Sequence, residues 1–191
     1  MAEKLKKLGF AMCGSFCTHE RAIEIMRRLT SCYEIIPILS YSSAETDTRF
    51  GSCAVLREKV TSICGHEPIV TITEAEKLGP TSPLDMMLIC PCTGNTAAKL
   101  ANGITDTPVT MAAKAHLRCS KRLVIALATN DAMSGNIVNI GKLMQRKNIF
   151  FVPMVQDDVE KKPYSLVADF GKCKAALEKA EVGEQIRPLF V

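Results

Sequence analysis

The residues best equipped for chemistry lie in one stretch, Cys90-Pro91-Cys92-Thr93-Gly94-Asn95-Thr96. It follows the apolar run Met86-Met87-Leu88-Ile89 and leads into Ala97-Ala98-Lys99-Leu100-Ala101. Thr93, Gly94, Asn95 and Thr96 bring small hydroxyls, a side-chain amide and a residue without Cβ to one turn, so backbone N–H groups and hydroxyls can converge there on an anion. An apolar run, a polar turn and an Ala-rich segment predict a buried strand, a tight loop and a helix start. Ligands of open α/β sheets bind just beyond the carboxyl ends of strands. The expected ligand is the phosphate of a mononucleotide, FMN.

Three further loops leave predicted strands with the same character: Gly14-Ser15, Ser40-Tyr41-Ser42-Ser43 and residues 129–136. The candidate cofactor-binding residues are Gly14, Ser15, Ser40, Ser42, Thr93, Gly94, Asn95 and Thr96. Asn130 and Asn136 are the candidates to face a ring or substrate, with helix capping an equal alternative for Asn136. Ordinary turns and caps also use Ser, Thr and Asn, but four such loops together favour a binding rim. Neither G-x-G-x-x-G nor G-x-x-x-x-G-K-[ST] occurs, so dinucleotide and P-loop readings lack a motif. Lys99 reads as solvated, with a counter-charge for phosphate the alternative; Asp106 reads as structural, with a subunit contact the alternative; and His19 reads as a surface histidine of a first helical turn, with contact to an anion the alternative. His66 and His116 also read as structural.

The elements that must position these loops follow from periodicity. Residues 8–13 predict a first strand, and Thr18 the N-cap of a helix ending at Leu29. Residues 34–39 form a second apolar run, which Pro37 marks as irregular or peripheral. A helix over 52–64 is closed by Gly65, and 68–72 read as a third strand. Thr73-Glu74-Ala75-Glu76 predicts a capped short helix that Gly79-Pro80 ends. Strands over 86–90, 122–128 and 149–153 follow, with helices over 109–117 (behind Thr107-Pro108), 136–147 and 166–180. Alternation of strands with helices, and strands that are continuous apolar runs, predict an α/β fold. This is a single Rossmann-like, flavodoxin-like domain with a mostly parallel sheet of about six strands and helices on both faces. Residues 1–155 would be the nucleotide-binding core and 156–191 a C-terminal extension.

Bulk properties narrow the function. The 191 residues suffice for one domain. The 24 basic and 20 acidic side chains give a net charge of +4 without a basic block, and there are three Tyr, seven Phe and no Trp. That excludes a nucleic-acid surface built on charge and stacking. No run of 18 apolar residues and no signal peptide is evident, so a cytoplasmic protein with no membrane partner is expected. The nine cysteines lack zinc-site spacing, so no metal is expected and most read as reduced thiols packed as small hydrophobes.

The segment from Pro91 to Asp106 resembles the P-x-S-A-N-T-x-A-K-x-A-x-G-x-x-D signature of the homo-oligomeric flavin-containing cysteine decarboxylase family of flavoproteins, and Gly14-Ser15 is similar to its first glycine-serine turn. The similarity spans roughly residues 8–155. Met12-Cys13-Gly14-Ser15-Phe16-Cys17-Thr18, Cys90-Pro91-Cys92 and Pro163-Tyr164-Ser165-Leu166-Val167-Ala168-Asp169-Phe170 resemble a branch of that family that makes dipicolinate in spore-forming bacteria. The resemblance implies FMN, a trimer-based homo-oligomer, and an oxidoreductase component in the cytoplasm of the mother cell. The implied partner is an A subunit carrying a nicotinamide-type domain, with NAD(P) entering through it. The implied substrate is dihydrodipicolinate, derived from hydroxytetrahydrodipicolinate. For a dicarboxylate, Arg49, Arg118 and Arg122 are the candidate partners, since a planar fork matches a carboxylate. Arg21, Arg27 and Arg28 are expected to coat a helix. Residues 79–85 lack the family's histidine, and 128–134 depart from its P-A-M-N-x-x-M-W motif. These losses leave two alternatives open, a cofactor-free scaffold and an FMN-dependent decarboxylase or flavin prenyltransferase-like enzyme.

Overall fold

Seven strands form one sheet in the computed structural model, which describes residues 5–79, 81 and 83–191. The first four residues, Pro80 and Ser82 lie outside the described residues, as does the helix-ending role read for Pro80. β1 (Lys6–Met12) lies between β2 (Tyr33–Leu39) and β3 (Met86–Cys92); β3 pairs with β4 (Arg122–Thr129), and all four are parallel. β5 (Ile149–Phe151) runs parallel to the start of β4. β6 (Met154–Val155) and β7 (Leu166–Ala168) pair antiparallel, and β7 pairs antiparallel with Ala128 and Thr129 at the end of β4. The order is β2-β1-β3-β4-β7-β6, with β5 on β4. The chain builds β2 on one side of β1 and then β3 on the other. That reversal opens a crevice above the carboxyl ends of β1 and β3, where ligands of doubly wound sheets bind.

The helices are α1 (His19–Leu29), α2 (Tyr41–Glu45), α3 (Cys53–Cys64), α4 (Ile72–Glu76), α5 (Gly94–Ala101), α6 (Pro108–Leu117), α7 (Ile137–Met144) and α8 (Cys173–Glu181). Alternate residues of the central strands enter two cores. Met86, Leu88, Cys90, Val124 and Ala126 pack with residues of α1, α3 and α8. Met87, Ile89, Leu123, Ile125 and Leu127 pack with residues of α5, α6 and α7. Both faces are therefore buried, which is why these strands read as unbroken apolar runs.

Several boundaries differ from expectation for physical reasons. Pro37 sits in a regular seven-residue strand at the sheet margin, the peripheral place that the proline marked, where no N–H is needed on the outer side of β2. Residues 68–72 are not a strand: Ile69 alone bridges Ile38, with its N–H donating to Pro37 O and its carbonyl accepting from Leu39 N, both at 2.9 Å. Leu166–Ala168 is a strand, and the last helix begins at Cys173. Thr18 does not cap α1. It ends a 3-10 turn, and its hydroxyl donates back to Ser15 O at 2.8 Å. Thr71, not Thr73, caps α4, accepting from Glu74 N at 3.2 Å. α6 starts as expected at Thr107-Pro108, with Thr107 and Thr110 each accepting the other's backbone N–H. Gly65, at φ +78°, ends α3 in the left-handed region. At the far margin, Met154 N donates to Leu189 O at 2.8 Å and Val191 N to Met154 O at 3.0 Å. No helix among the described residues is long and apolar enough to cross a membrane.

Candidate functional site

Two loops meet over the crevice. After β1 the chain turns at Gly14-Ser15, where Ser15 N donates to Cys13 O at 2.8 Å, and passes through the 3-10 turn Phe16–Thr18 into α1. His19 pins this loop from beneath. It is 9% exposed, and its Nε2 lies 2.8 Å from Cys13 O, which can only accept, so Nε2 carries the proton. Burial holds the His19 pKa below its ordinary value, which keeps the ring neutral. His19 is thus a buried structural group, not a surface histidine.

After β3, Thr93 caps α5 by accepting from Thr96 N at 3.3 Å, and its hydroxyl donates to Thr96 Oγ1 at 3.1 Å. The loops are tied together where Cys13 N donates to Pro91 O at 3.1 Å. The Cys13 thiol contacts Thr96 and Thr93, and burial pushes its pKa up to about 11. Cys92 is also buried and its pKa raised by desolvation. Neither thiol is a nucleophile near neutral pH. The first two amides of α5, on Gly94 and Asn95, have no partner among the described residues, as expected for a helix start. The Ser15 hydroxyl is likewise free of a partner among the described residues.

Gly94 permits the close approach that closes the floor. A Cβ there would lie 2.5 Å from Thr129 Oγ1, 2.6 Å from Asn136 Nδ2 and 2.8 Å from Asp131 Oδ1. These three groups form one network. The Thr129 hydroxyl donates to Asp131 Oδ1, and Asn136 Nδ2 donates to Asp131 Oδ2 at 2.8 Å. Asn139 Nδ2 donates to Asn136 Oδ1 at 2.9 Å.

A cleft of about 720 Å³ opens over these groups. Its wall includes Gly14, Ser15, Thr93, Gly94, Asn95 and Asn130, together with Arg49. The other expected residues stand apart from it. Ser40 is buried and spends its hydroxyl on capping α2 and on Ser43. Ser42 packs against Gly14, whose added Cβ would come within 3.1 Å of Ser42 Cβ. Thr96 is buried in the α5 cap, and Asn136 is buried holding Asp131. Arg118 follows α6 and Arg122 opens β4, so both lie at the opposite end of the sheet, where Arg122 donates to Glu181 O at 2.6 Å. Lys99 is not solvated alone but pairs with Asp106 at 2.8 and 2.9 Å.

Sequence reasoning missed Arg21, Phe50, Asp131, Asp157 and Lys162, which also line the cleft. Lys162 donates to Asp157 at 2.8 Å; this bond lowers the carboxyl pKa and raises the ammonium pKa. The signal available for Asp131 was its place in the polar loop after β4. Asp157 and Lys162 come from the segment between β6 and β7 and gave no local signal. Among the described residues no group of three His, Cys, Asp or Glu side chains could hold a metal ion.

The chain is 43% identical over 189 residues to the B subunit of dipicolinate synthase from Bacillus subtilis (strain 168), covering 98% of this chain and 94% of that protein. It is similar in structure to the dipicolinate synthase B subunit from Bacillus halodurans C, with a TM-score of 0.90, 38% identity and coverage of 100% and 98% of the two chains. The fold is shared with the FMN-dependent cysteine decarboxylase SpaF, at a TM-score of 0.65 and 22% identity, covering 92% and 97%. The model of the family described as Flavoprotein matches residues 1–182, and with a glycine-serine turn and a Thr-capped helix meeting at the sheet's reversal point, the chain belongs to the flavoprotein family.

Proposed function

We propose that this chain is the flavin-holding subunit of a two-subunit dipicolinate synthase, working with the A subunit of that enzyme in the oxidation of dihydrodipicolinate to dipicolinate. The observation that carries the reading is the convergence of the β1–α1 and β3–α5 loops on one cleft. The free backbone amides of Gly94 and Asn95, the Asn95 side-chain amide on the cleft wall and the free Ser15 hydroxyl form a donor set suited to a phosphate. The cleft's volume falls within the range of small-molecule and cofactor sites. These residues fit FMN: Ser15, Gly94 and Asn95 would hold the phosphate end, and Asn130 would face the ring. Bound there, FMN supplies a two-electron acceptor for a substrate ring that becomes aromatic. The protein's own part is to position the two rings and to exclude water. Similarity to two dipicolinate synthase B subunits supports the pathway and a separate A subunit, through which NAD(P) would enter. A homo-oligomer in the mother-cell cytoplasm of a spore-forming bacterium belongs to the same reading, as does a nucleotide-binding core over 1–155 with 156–191 as its extension.

A second reading is a cofactor-free subunit that supports its partner's chemistry. The specific observation behind it is that no histidine lines the cleft among the described residues. Two measurements separate the readings. FMN titration is expected to show saturable binding that Asn95→Leu weakens by about tenfold or more while the circular dichroism spectrum stays unchanged. Dipicolinate formation is expected only when both partners are present. Absence of FMN binding by the purified chain moves the assignment to the scaffold. Carbon dioxide release from a peptide ending in cysteine moves it to a decarboxylase.

A further inference from the structure

Arg21 and Arg49 share an arrangement that their positions in the sequence do not suggest. Arg21 leaves the first turn of α1 with its guanidinium carbon 5.0 Å from the centre of the Phe170 ring. Arg49 comes from the loop between α2 and α3, and its guanidinium carbon is 4.8 Å from the centre of the Phe50 ring. Both line the cleft. Stacking on an aromatic face holds a guanidinium while leaving its in-plane N–H groups free to donate.

The neighbouring charges are already satisfied. Lys162 holds Asp157, and Asp131 is held by Thr129 and Asn136. Glu20, beside Arg21 in sequence, pairs with Lys59, and Glu24 on the next turn pairs with Arg27 and Arg28. Among the described residues neither Arg21 nor Arg49 has a carboxylate partner. Two stacked, unpaired forks from separate elements therefore face one cleft, together with the phosphate-type donors of α5 but apart from them in sequence and in chemistry.

We propose that Arg21 and Arg49 form a two-point clamp for a planar dicarboxylate seated in the cleft beside the nucleotide. The proposal rests on the flavin-holding reading of the same cleft and assigns the substrate's anchor within it. Each guanidinium pairs with one carboxylate in the bidentate manner. Two clamps on separate elements favour a dianion over a monoanion of the same ring.

The test is calorimetric titration of the full-length chain with pyridine-2,6-dicarboxylate and with pyridine-2-carboxylate, beside a separate FMN titration. The two arginines are exposed and screened by salt, so each loss is set at the lower end for charge-assisted bonds, about tenfold. Arg21→Gln and Arg49→Gln are each expected to weaken dicarboxylate binding by about tenfold, the double variant by more, with FMN affinity within about twofold of the parent. Arg21→Lys and Arg49→Lys keep the charge but lose the fork, and are expected to fall between parent and glutamine variants. Arg118→Gln, at the other end of the sheet, is expected to change neither titration. The monocarboxylate is expected to bind the parent about tenfold more weakly than the dicarboxylate.

Unchanged dicarboxylate affinity in both glutamine variants overturns the clamp, as does a parent protein that binds no dicarboxylate. FMN affinity falling in step with dicarboxylate affinity also overturns it, by assigning the arginines to the nucleotide's phosphate. A parent that binds no FMN, yet binds the dicarboxylate with the expected response to both substitutions, removes the flavin reading and leaves the clamp standing.

Discussion

Replacing Gly94 with alanine adds one methyl group at the most crowded point of the cleft floor. Gly94 is the first residue of α5 and does not need a positive φ, so the backbone tolerates alanine and the helix gains at most about 1 kcal/mol from its higher propensity. The obstacle is space. The new Cβ would meet Thr129 Oγ1 at 2.5 Å, Asn136 Nδ2 at 2.6 Å and Asp131 Oδ1 at 2.8 Å, where ordinary contact begins at 3.4 Å. Each atom must retreat by 0.6 to 0.9 Å, and all three belong to the hydrogen-bond network around the Asp131 carboxylate. Overpacking costs roughly 1–3 kcal/mol. Weakening a hydrogen bond to a charged acceptor costs roughly 1.5–3 kcal/mol more. Set against the propensity gain, the net loss is about 1.5–5 kcal/mol, or a Tm lower by roughly 3–20 °C for a chain of this size. Gly141, within α7, has nothing within 4 Å of its added Cβ, so Gly141→Ala is expected to be neutral or stabilising by up to about 1 kcal/mol. Urea unfolding of the parent and both variants decides the matter. A Gly94→Ala protein within about 0.5 kcal/mol of the parent would refute the reasoning, because it would show that the Asp131 network yields without loss.

The remaining expectations concern charge and thiols. Burial holds both His19 and His116 below their ordinary pKa, so between that lowered value and the unfolded value near 6.5 the unfolded chain binds more protons. Stability is then complete above about pH 7 and falls as pH drops below about 6.5; a urea midpoint that stays level as pH is lowered through that value contradicts this. The doubly substituted His19→Gln, His116→Gln protein should show a flatter profile below the same pH. Cys17 is exposed on the cleft, whereas Cys13, Cys90, Cys92 and Cys173 are buried. A thiol reagent should therefore modify Cys17 ahead of those four, more slowly with FMN bound, and reach the four only on unfolding. Lys99→Ala removes a partly exposed ion pair with Asp106 and should cost no more than about 1 kcal/mol by urea unfolding.

The fold was legible because its physics is local in the places that matter most. β1, β3 and β4 are buried on both faces, so their apolar runs are continuous and stand out without knowledge of any partner. Thr93 and Thr107 announce their helices through capping chemistry that acts over three residues. What could not be read depends on distant pairing. Leu166–Ala168 has the composition of a helix start and becomes a strand because Ala128 and Thr129 offer it a partner. Pro37 pointed to a peripheral strand and β2 is one, but which margin it occupies is set by the sheet order. The site follows the same division. Gly14, Ser15 and the 93–95 turn, which line the cleft, are legible as strand-end loops because such loops carry their own signature. The places of Arg118 and Arg21 could not be read for a shared reason: an arginine's sequence neighbourhood does not say at which end of the sheet it emerges, nor whether an aromatic ring such as Phe170 lies beside it.

Two of the sheet's borders, beside β2 and β6, carry a consequence for how the molecule meets others. Beside β2, Ile69 occupies the outward-facing groups of Pro37 and Leu39, and Pro37 has no hydrogen to offer there. Beside β6, the strand bonded to Leu189 and Val191 has its open side taken by the chain's own last residues. At these positions the edge groups are occupied, so no free ladder is offered there to a neighbouring molecule, a route to unwanted filaments. Over these stretches the molecule's own backbone already stands where an added strand would pair.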